Sequence, residues 1–471
     1  MVEISSRARH YALRELSRRA GVSLEFYQRW KIELRTESLI VRPFPDALAE
    51  IHFPIVDSVE LEKGGIVRKT WAREAAPEVR GYIPDFIVPF CRRGAINGEG
   101  LFVQQAAHVF RCTEDVLASL LITLCRREES DSQVRDTYDR FPASGGIAAR
   151  HGFLSRPIVD EYGLAFRQVL QVLIPGWQPS PRKAAVKLSH DIDQVGIPFS
   201  LKSTLGHVAV RRAPYASARD FLSSASDVEP GYLQSVRRIC QISSRYGLKS
   251  ALYWKASAPG PFDTGYDIGH PKIAQVIGWA KDEGIELGVH PGYETFRSRQ
   301  TLREEVQRVR KAIGTEAMGG RQHYLRWCPE AWADWESCGL AYDSSVGFAD
   351  HAGFRCGTCW PYLPWLWHED RCADLLEIPL LVIDSALVHY MKLNPRQSFE
   401  FVRELLTKCG LVGGVFTLLW HNTGLFAPYW EHYLPILNLL GGTRDYEWEN
   451  ELEELRQELR ELSPKPVCAR A

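Results

Sequence analysis

Short apolar runs alternate with amphipathic stretches through the second part of the chain. The apolar runs have the length and composition of buried strands and cover residues 185–192, 250–256, 285–290, 319–325, 340–345, 375–383 and 413–420. Helical stretches lie between them, with proline near the start and glycine near the end, at Pro230 to Gly247, Pro271 to Gly284, Pro329 to Gly339 and Pro395 to Gly410. This alternation predicts a parallel α/β sheet, either open and doubly wound or closed as an incomplete barrel.

The first 180 residues have a more mixed pattern and no cluster of reactive side chains. Thr113 to Arg126 predicts a buried helix with Thr113 as its N-cap, and Pro157 to Leu173 predicts another. A linker with two prolines, Gln178 to Lys183, comes directly before the first apolar run and marks a boundary. We therefore expect three parts: a smaller α+β N-terminal accessory domain (1–180), a β/α domain (184–440) and a charged C-terminal helix and tail (441–471).

The C-terminal stretch from Glu447 to Leu462 is strongly charged and carries a stripe of leucines. Leu452, Leu455, Leu459 and Leu462 follow one another at spacings of 3, 4 and 3 residues, as in a heptad seam. The stripe covers only about two heptads, which favours an amphipathic helix docked on its own domain. A homo-oligomer formed through this helix is the alternative.

Composition narrows the classes of function. The chain has 471 residues, of which 45% are hydrophobic and 24% charged, and its net charge of −1 gives no basic excess for nucleic-acid binding. The longest apolar stretch, Leu411 to Trp420, is too short to span a bilayer. The start has no secretory signal pattern, and the 11 cysteines are irregularly spaced. We expect a cytoplasmic protein with reduced thiols and no transmembrane segment.

Polar residues cluster where the apolar runs end. Asp191 and Asp193, at the end of the first run, point to one face of a strand because side chains alternate. Two carboxylates there repel each other unless a cation or proton lies between them. His290 and His421 end two further runs. Each feature alone is compatible with a cap or a satisfied polar residue, but together they suit a divalent zinc, manganese, iron or cobalt site.

Two other segments carry chemistry with less specificity. Arg321 and His323 share one face of the fourth run, and Tyr324 and Arg326 share the other. An arginine beside a carboxylate site can orient the acid by paired hydrogen bonds. The long loop at 346–374 contains an isolated CxxC and several aromatic residues, which form either a surface that stacks on sugars or a satellite core. No phosphate-binding glycine motif follows the first run, which disfavours a nucleotide-binding sheet.

In order, these motifs resemble the polysaccharide deacetylase family (carbohydrate esterase family 4). SHDID (189–193) is similar to its first motif, GVHPGYE (288–294) to its second, RQHYLRW (321–327) to its arginine-bearing third and LLWHN (418–422) to its last. An extra N-terminal domain precedes the barrel in a bacterial subgroup. Three segments resemble that domain: Arg126 to Glu129, Arg140 to Ala143 and Arg156 to Val159.

The resemblance implies a distorted seven-stranded β/α barrel and an enzyme that deacetylates sugars. It implies that Asp191 is the general base, that Asp193 and His290 bind a divalent cation, and that His421 is the general acid. Zinc is the expected metal, with cobalt, manganese or nickel as alternatives. Arg326, with Arg321 as the alternative, is expected to hold Asp191 ionised.

The second motif departs from the family pattern, which usually has a second histidine four residues after the first. Glu294 stands there instead. We predict His323 as the third ligand, with Glu294 or water as alternatives. The expected substrate is an acetylated amino sugar or a nucleotide- or lipid-linked glycan precursor. A hydrolase of small amides and a metal-free carbohydrate-binding pseudoenzyme are the alternatives.

Overall fold

The computed structural model describes residues 3–462 except 44–47, 58–59, 62–64, 74, 93, 131, 181, 198–230 and 426–427. The first part of the chain mixes helices and short strands. Its helices are α1 (Ser6–Ala20), α2 (Leu24–Tyr27), α3 (Pro77–Tyr82), α4 (Val116–Leu124), α5 (Arg127–Ser130), α6 (Ile147–Arg150) and α7 (Ile158–Leu173). Its strands are β1 (Lys31–Leu34), β2 (Ser38–Arg42), β3 (Glu50–Pro54), β4 (Ile66–Lys69), β5 (Phe86–Pro89), β6 (Phe102–Ala106) and β7 (Val109–Cys112).

Five of these strands form a mixed sheet in the order β1-β2-β3-β7-β6. Strands β3 and β7 run parallel, and the other neighbours run antiparallel. Helix α1 packs on α4 and α7, and buried Leu16 and Phe166 belong to the same core. An ion pair between Arg19 Nε and Asp160 Oδ1, 2.8 Å apart, also joins α1 to α7.

The second part of the chain alternates strands and helices. Its strands are β8 (Ala185–Ile192), β9 (Ser250–Trp254), β10 (Glu286–Val289), β11 (Tyr342–Asp343), β12 (Trp365–Leu366), β13 (Arg371–Cys372), β14 (Leu376–Glu377), β15 (Val382–Ile383) and β16 (Val415–Leu419). Its α-helices are α8 (Gly231–Arg245), α9 (Pro271–Asp282), α10 (Arg299–Ile313), α11 (Ala331–Ser337), α12 (Pro395–Val412), α13 (Tyr429–Leu440) and α14 (Trp448–Leu462). The fold is therefore of the mixed α/β class, as the pattern predicts.

A parallel sheet in the order β10-β9-β8-β16-β15 forms the centre of this part. Every residue of β8 is buried, as expected for a strand covered on both faces. Beyond β10, Gly320 bridges to Val289 and Asp343, and β11 pairs with β14. No closed barrel is found among the described residues, so the seven-stranded barrel stays a prediction.

Glycine at position 320 allows the segment that carries His323 to lie close to β10. A Cβ atom there would lie 1.8 Å from the carbonyl oxygen of Val289. At the neighbouring Gly319, a Cβ atom would lie 2.3 Å from the Tyr342 ring. Neither position has room for a side chain, and this close approach brings the residues after Gly320 near the end of β10.

Two helix ends differ from the predicted ones. Asp115, not Thr113, caps α4, because its side chain accepts a hydrogen bond from the Ala118 amide. Helix α12 runs past Gly410 and ends at Gly413, whose φ of 69° is the left-handed conformation that glycine adopts readily. Pro230, the predicted start of α8, lies outside the described residues.

Helix α14 docks on its own chain. Trp448, Leu452 and Leu455 are buried in one apolar cluster with Tyr342 and Tyr253. This contact buries Leu452 and Leu455 of the leucine stripe, as expected for a helix docked on its own domain. The tail beyond Leu462 lies outside the described residues. Within the described part of the chain, no helix is both long and apolar enough to cross a bilayer.

Candidate metal centre

The carboxyl ends of three parallel strands bring the predicted residues together. Strand β8 lies between β9 and β16, and β9 lies next to β10. Asp191 is the second-last residue of β8, and Asp193 directly follows the strand. His290 directly follows β10, and His421 lies two residues after the end of β16. Because parallel strands end at the same edge, these side chains converge.

Three side chains present ligand atoms to a common space. One ligand atom from each of Asp193, His290 and His323 can be chosen so that all three lie within 4.8 Å of one another. Asp193 Oδ1 lies 3.3 Å from His290 Nε2 and 3.2 Å from His323 Nε2. Both imidazoles are buried. Carboxylate and imidazole in this number are a common ligand set of catalytic zinc sites.

Unpartnered polar atoms test whether a cation fits this space. Within the described chain, Asp193 Oδ1 and His290 Nε2 are buried atoms with no well-aligned hydrogen-bond partner. His290 Nδ1 lies 2.6 Å from the carbonyl oxygen of Arg321, which fixes the proton on Nδ1 and leaves the Nε2 lone pair toward Asp193. A lone pair facing a carboxylate is unfavourable without a cation between them, so the residues present fit a divalent metal.

A second carboxylate supports the third ligand. His323 Nδ1 lies 2.8 Å from Asp263 Oδ1, an arrangement that orients a ligating imidazole. Asp263 Oδ2 accepts a hydrogen bond from the Tyr293 amide at 2.8 Å, which fixes the carboxylate in turn. Asp263 comes from the loop after β9, and no sequence pattern indicated it.

Lys255 adds a buried positive charge that sequence reasoning missed. Its ammonium lies 2.6 Å from Asp263 Oδ1, 3.1 Å from His323 Nδ1 and 3.7 Å from Asp193 Oδ1. Burial raises the pKa of Asp193, but the nearby His323, His290 and Lys255 outweigh it and hold that pKa well below its usual range. The Asp193 carboxylate is therefore ionised and available to a cation.

Asp191 lies beside the ligands and is held by Arg321. Arg321 Nη1 donates to Asp191 Oδ1 at 2.8 Å, and both side chains are buried. Arg321 Nε also donates to the carbonyl oxygen of Ser344 at 2.9 Å, which fixes the guanidinium. The expectation that Arg326 holds Asp191 is wrong. Arg321 occupies that role, and Arg326 Nη1 donates to the Tyr293 carbonyl at 2.6 Å.

His421 lies on another side of the ligand cluster and pairs with Asp384. Its Nδ1 is 2.8 Å from Asp384 Oδ1, and its Nε2 is 3.5 Å from Asp193 Oδ2. Burial lowers the pKa of His421, but the Asp384 carboxylate outweighs that effect and raises the pKa to about 10. The imidazole is thus a cation at neutral pH. Asp384 directly follows β15, so the strand-end pattern that indicated His421 also indicates this residue.

Two other polar residues of the motif segments, Glu294 and His190, lie outside the cluster. Glu294 is exposed on the short turn Tyr293–Thr295 and is not among the grouped ligand atoms. His190 joins neighbouring strands through the Trp420 carbonyl and the Ser250 hydroxyl, and burial lowers its pKa to about 4. Both are therefore structural or peripheral in this arrangement.

The aromatic loop at 346–374 belongs to the core for the most part. Trp360 is buried, with the guanidinium of Arg182 over its ring at 4.2 Å. Cys356 and Cys359 are buried as well, and Cys359 Sγ lies 3.4 Å from Asp160 on α7. This loop joins the two parts of the chain, as its packed-core alternative predicts.

The first part of the chain is similar to a known protein-family model. Residues 5–175 match the Family of unknown function (DUF7033). A comparison with curated proteins finds no match.

Several solved structures are distantly similar to part of the chain. A Mycobacterium smegmatis protein assigned as a polysaccharide deacetylase has 16% identity and a TM-score of 0.42, over 62% of this chain and 96% of that one. A Pseudomonas aeruginosa PAO1 protein assigned as a polysaccharide deacetylase has 13% identity and a TM-score of 0.39, over 61% and 95%. A mutant CE4 family pseudoenzyme with restored enzymatic activity has 10% identity and a TM-score of 0.29, over 58% and 64%. Because these TM-scores are below 0.5, we infer function from the site alone.

Proposed function

We propose that the chain is a metal-dependent hydrolase that removes acetyl or other acyl groups from an amino sugar or glycan precursor. One observation carries the proposal. A carboxylate fixed by a guanidinium, Asp191, and an imidazolium fixed by a carboxylate, His421, both flank the ligand cluster. Hydrolysis of an amide needs such a proton acceptor and a proton donor around one reacting carbon.

The ligand set proposed is Asp193, His290 and His323, with zinc as the first choice and cobalt, manganese or nickel as alternatives. A bound divalent cation would polarise the acyl carbonyl as a Lewis acid and lower the pKa of the attacking water to about 7. The chain's own residues do the rest. Asp263 and the Arg321 carbonyl orient the two imidazoles through their Nδ1 atoms.

Proton transfers complete the proposed reaction. Asp191 accepts a proton from the water molecule as the water oxygen forms a bond to the acyl carbon. His421 donates its proton to the leaving nitrogen as the carbon–nitrogen bond breaks, giving a carboxylic acid and an amine. Such proton transfers typically contribute roughly 10²–10⁴-fold each. Arg321 balances the charge of Asp191 and keeps its Oδ1 in place, the role first expected of Arg326.

Aromatic side chains beside the ligands favour a sugar over a small amide. The Tyr324 ring lies 4.5 Å from that of His323, and Tyr138 lies 4.9 Å from Tyr324. Phe262 packs edge-on against both tyrosines and is 36% exposed. Flat rings at the rim of a polar site can stack on sugar faces.

The proposal includes a seven-stranded β/α barrel over residues 184–440, preceded by an accessory domain over 1–180. The pairing of two neighbouring strands supports this barrel. Strand β14 pairs with β11, and β15, which four residues separate from β14, pairs with β16. This segment therefore links the two ends of the series of strands. Helix and tail 441–471 complete the proposed division.

Elemental analysis of the purified chain, with an acetate-release screen over N-acetylated sugars and small amides, tests the function. We expect about one divalent ion per chain and release from sugars. Asp193→Asn and His290→Ala should lose the metal while remaining folded. Glu294→Gln, an exposed residue four positions after His290, is the matched control and should keep it. Metal content unchanged in both site variants, or turnover of small amides alone, would contradict the proposal.

Lys255 favours a second candidate, the metal-free carbohydrate-binding pseudoenzyme. Its ammonium lies close enough to Asp193 and Asp263 to neutralise part of their charge without a metal. Under that alternative, the wild-type chain binds N-acetylated sugars in calorimetry but contains no metal. Lys255→Met should then unmask metal binding by removing the competing charge.

A further inference from the structure

The turn that carries His323 has an unfavourable backbone conformation. Tyr324 and Leu325, the two residues after this ligand, have φ angles of 61° and 53°. The left-handed region is costly for side chains with a Cβ atom, and glycine avoids that cost. Such a conformation persists only where surrounding contacts hold it. The contacts that hold this turn therefore determine where the His323 imidazole lies.

Several of these contacts come from a loop far away in the sequence. Arg140 Nη1 donates to the carbonyl oxygen of Tyr324 at 3.2 Å. Tyr138 packs its ring on that of Tyr324, and Asp139 Oδ2 accepts from Arg326 Nη2 at 3.1 Å. We call residues 136–140 the clamp loop. It lies in the part of the chain that matches the family of unknown function.

Arg140 is itself held rigidly. Its side chain is 8% exposed, and its Nε donates to Asp136 Oδ2 at 2.7 Å within the clamp loop. Its Nη2 donates to the Tyr390 hydroxyl at 3.2 Å. A guanidinium fixed by a carboxylate and a phenol is a preorganised donor, so it can hold the strained peptide with little further loss of side-chain freedom.

We propose that Arg140 is a positioning residue for the metal centre. By binding the Tyr324 carbonyl, it stabilises the left-handed turn that directs His323 toward Asp193. The N-terminal part of the chain thereby completes a site whose ligands all come from the second part. The role of Arg140 in metal binding rests on the proposed function, because it requires His323 to be a ligand. The stabilisation of the turn by Arg140 does not depend on a metal.

Two measurements on the full chain test separately whether Arg140 supports metal binding and whether it stabilises the turn. Zinc affinity is measured by competition with a chromophoric chelator. Hydrogen exchange of the peptide covering 321–327 is measured in metal-free protein. Arg140→Met should weaken zinc binding about 10–100-fold, the range for loss of a residue that orients a ligand, and should speed exchange in this peptide. Arg156→Met is the matched control, because Arg156 is similarly buried but pairs with Asp85 and Glu161. It should change neither value.

Rescue by glycine distinguishes positioning from general stabilisation. If Arg140 acts by holding a strained turn, Tyr324→Gly in the Arg140→Met background should restore zinc affinity to within a few-fold of wild type. If Arg140→Met does not fold, Arg140→Lys keeps one charged donor and should give intermediate values. Unchanged exchange at 321–327 in the folded variants, or no rescue by glycine, overturns the proposal. If wild-type protein binds no zinc, the proposed function fails, and exchange alone decides whether Arg140 holds the turn.

Discussion

Replacing Asp384 by asparagine should move the pH at which activity is lost. Asp384 is buried, and its Oδ1 lies 2.8 Å from His421 Nδ1. Asparagine keeps the shape and an acceptor oxygen but removes the negative charge. The general acid must be protonated to act, so activity falls as pH rises through the pKa of His421. Lowering that pKa therefore moves the fall to lower pH.

The size of the effect follows from the geometry. Charge centres about 4 Å apart, at an effective dielectric constant of about 20, attract by about 4 kcal/mol. That energy corresponds to about three pH units in the pKa of His421. In the intact pair burial lowers the pKa of His421, but Asp384 is the largest cause that raises it, and the pKa is about 10. Since burial alone lowers the pKa of His421, we expect the variant to lose activity near neutral pH.

The assay is kcat for acetate release between pH 5 and 11, with metal content measured at each end. Asp384 Oδ2 also accepts from the His421 amide, so the variant loses a backbone hydrogen bond, and its urea unfolding is measured alongside. Glu50→Gln is the matched control, because it removes a carboxylate 2.8 Å from His52 on the N-terminal sheet. The control should leave the profile unchanged. An alkaline limb that does not move in Asp384→Asn would refute the assignment of His421 as the acid tuned by Asp384.

Three further outcomes are expected. Arg321→Met should lower kcat roughly 10–100-fold with metal retained, because Asp191 loses the group that orients it; unchanged kcat would exclude that role. His421→Ala should keep the metal but lower amide turnover roughly 10²–10⁴-fold, and a phenyl ester should suffer much less because its leaving group needs little protonation. Equal losses on both substrates would make His421 a ligand or structural residue. Gly320→Ala should cost about 1–3 kcal/mol in urea unfolding by overpacking, whereas Gly278→Ala, in open space on α9, should be neutral or stabilising.

Strand periodicity located much of the candidate site in advance. Six of the seven apolar runs contain a paired strand, and the seventh contributes the bridging Gly320. Because parallel strands end at one edge, Asp191, Asp193, His290 and His421 were expected near one another, and they are found together. The same rule would have found Asp384 and Lys255, had each been considered as a strand-end residue.

The rest depends on contacts that periodicity does not encode. Alternation of faces groups Arg321 with His323, and both reach the site, but it does not say which arginine contacts Asp191. That contact depends on the path of the chain through the turn at His323–Leu325. Asp263 lies on an irregular loop, so its approach to His323 is set by tertiary packing alone. The clamp loop is separated from His323 by more than 180 residues, and no local pattern indicates such a contact.

The contacts between helix α1 and helix α14 can form only late in the synthesis of the chain. Arg14 on α1 pairs with Glu458, 444 residues later, and Arg18 pairs with Glu451. At about 5–20 residues per second, a ribosome needs roughly 20–90 s to make the chain between these partners. During that time α1 is exposed to chaperones and proteases with its final contacts missing. The contacts of the first helix are thus completed only after Glu451 and Glu458 have been translated.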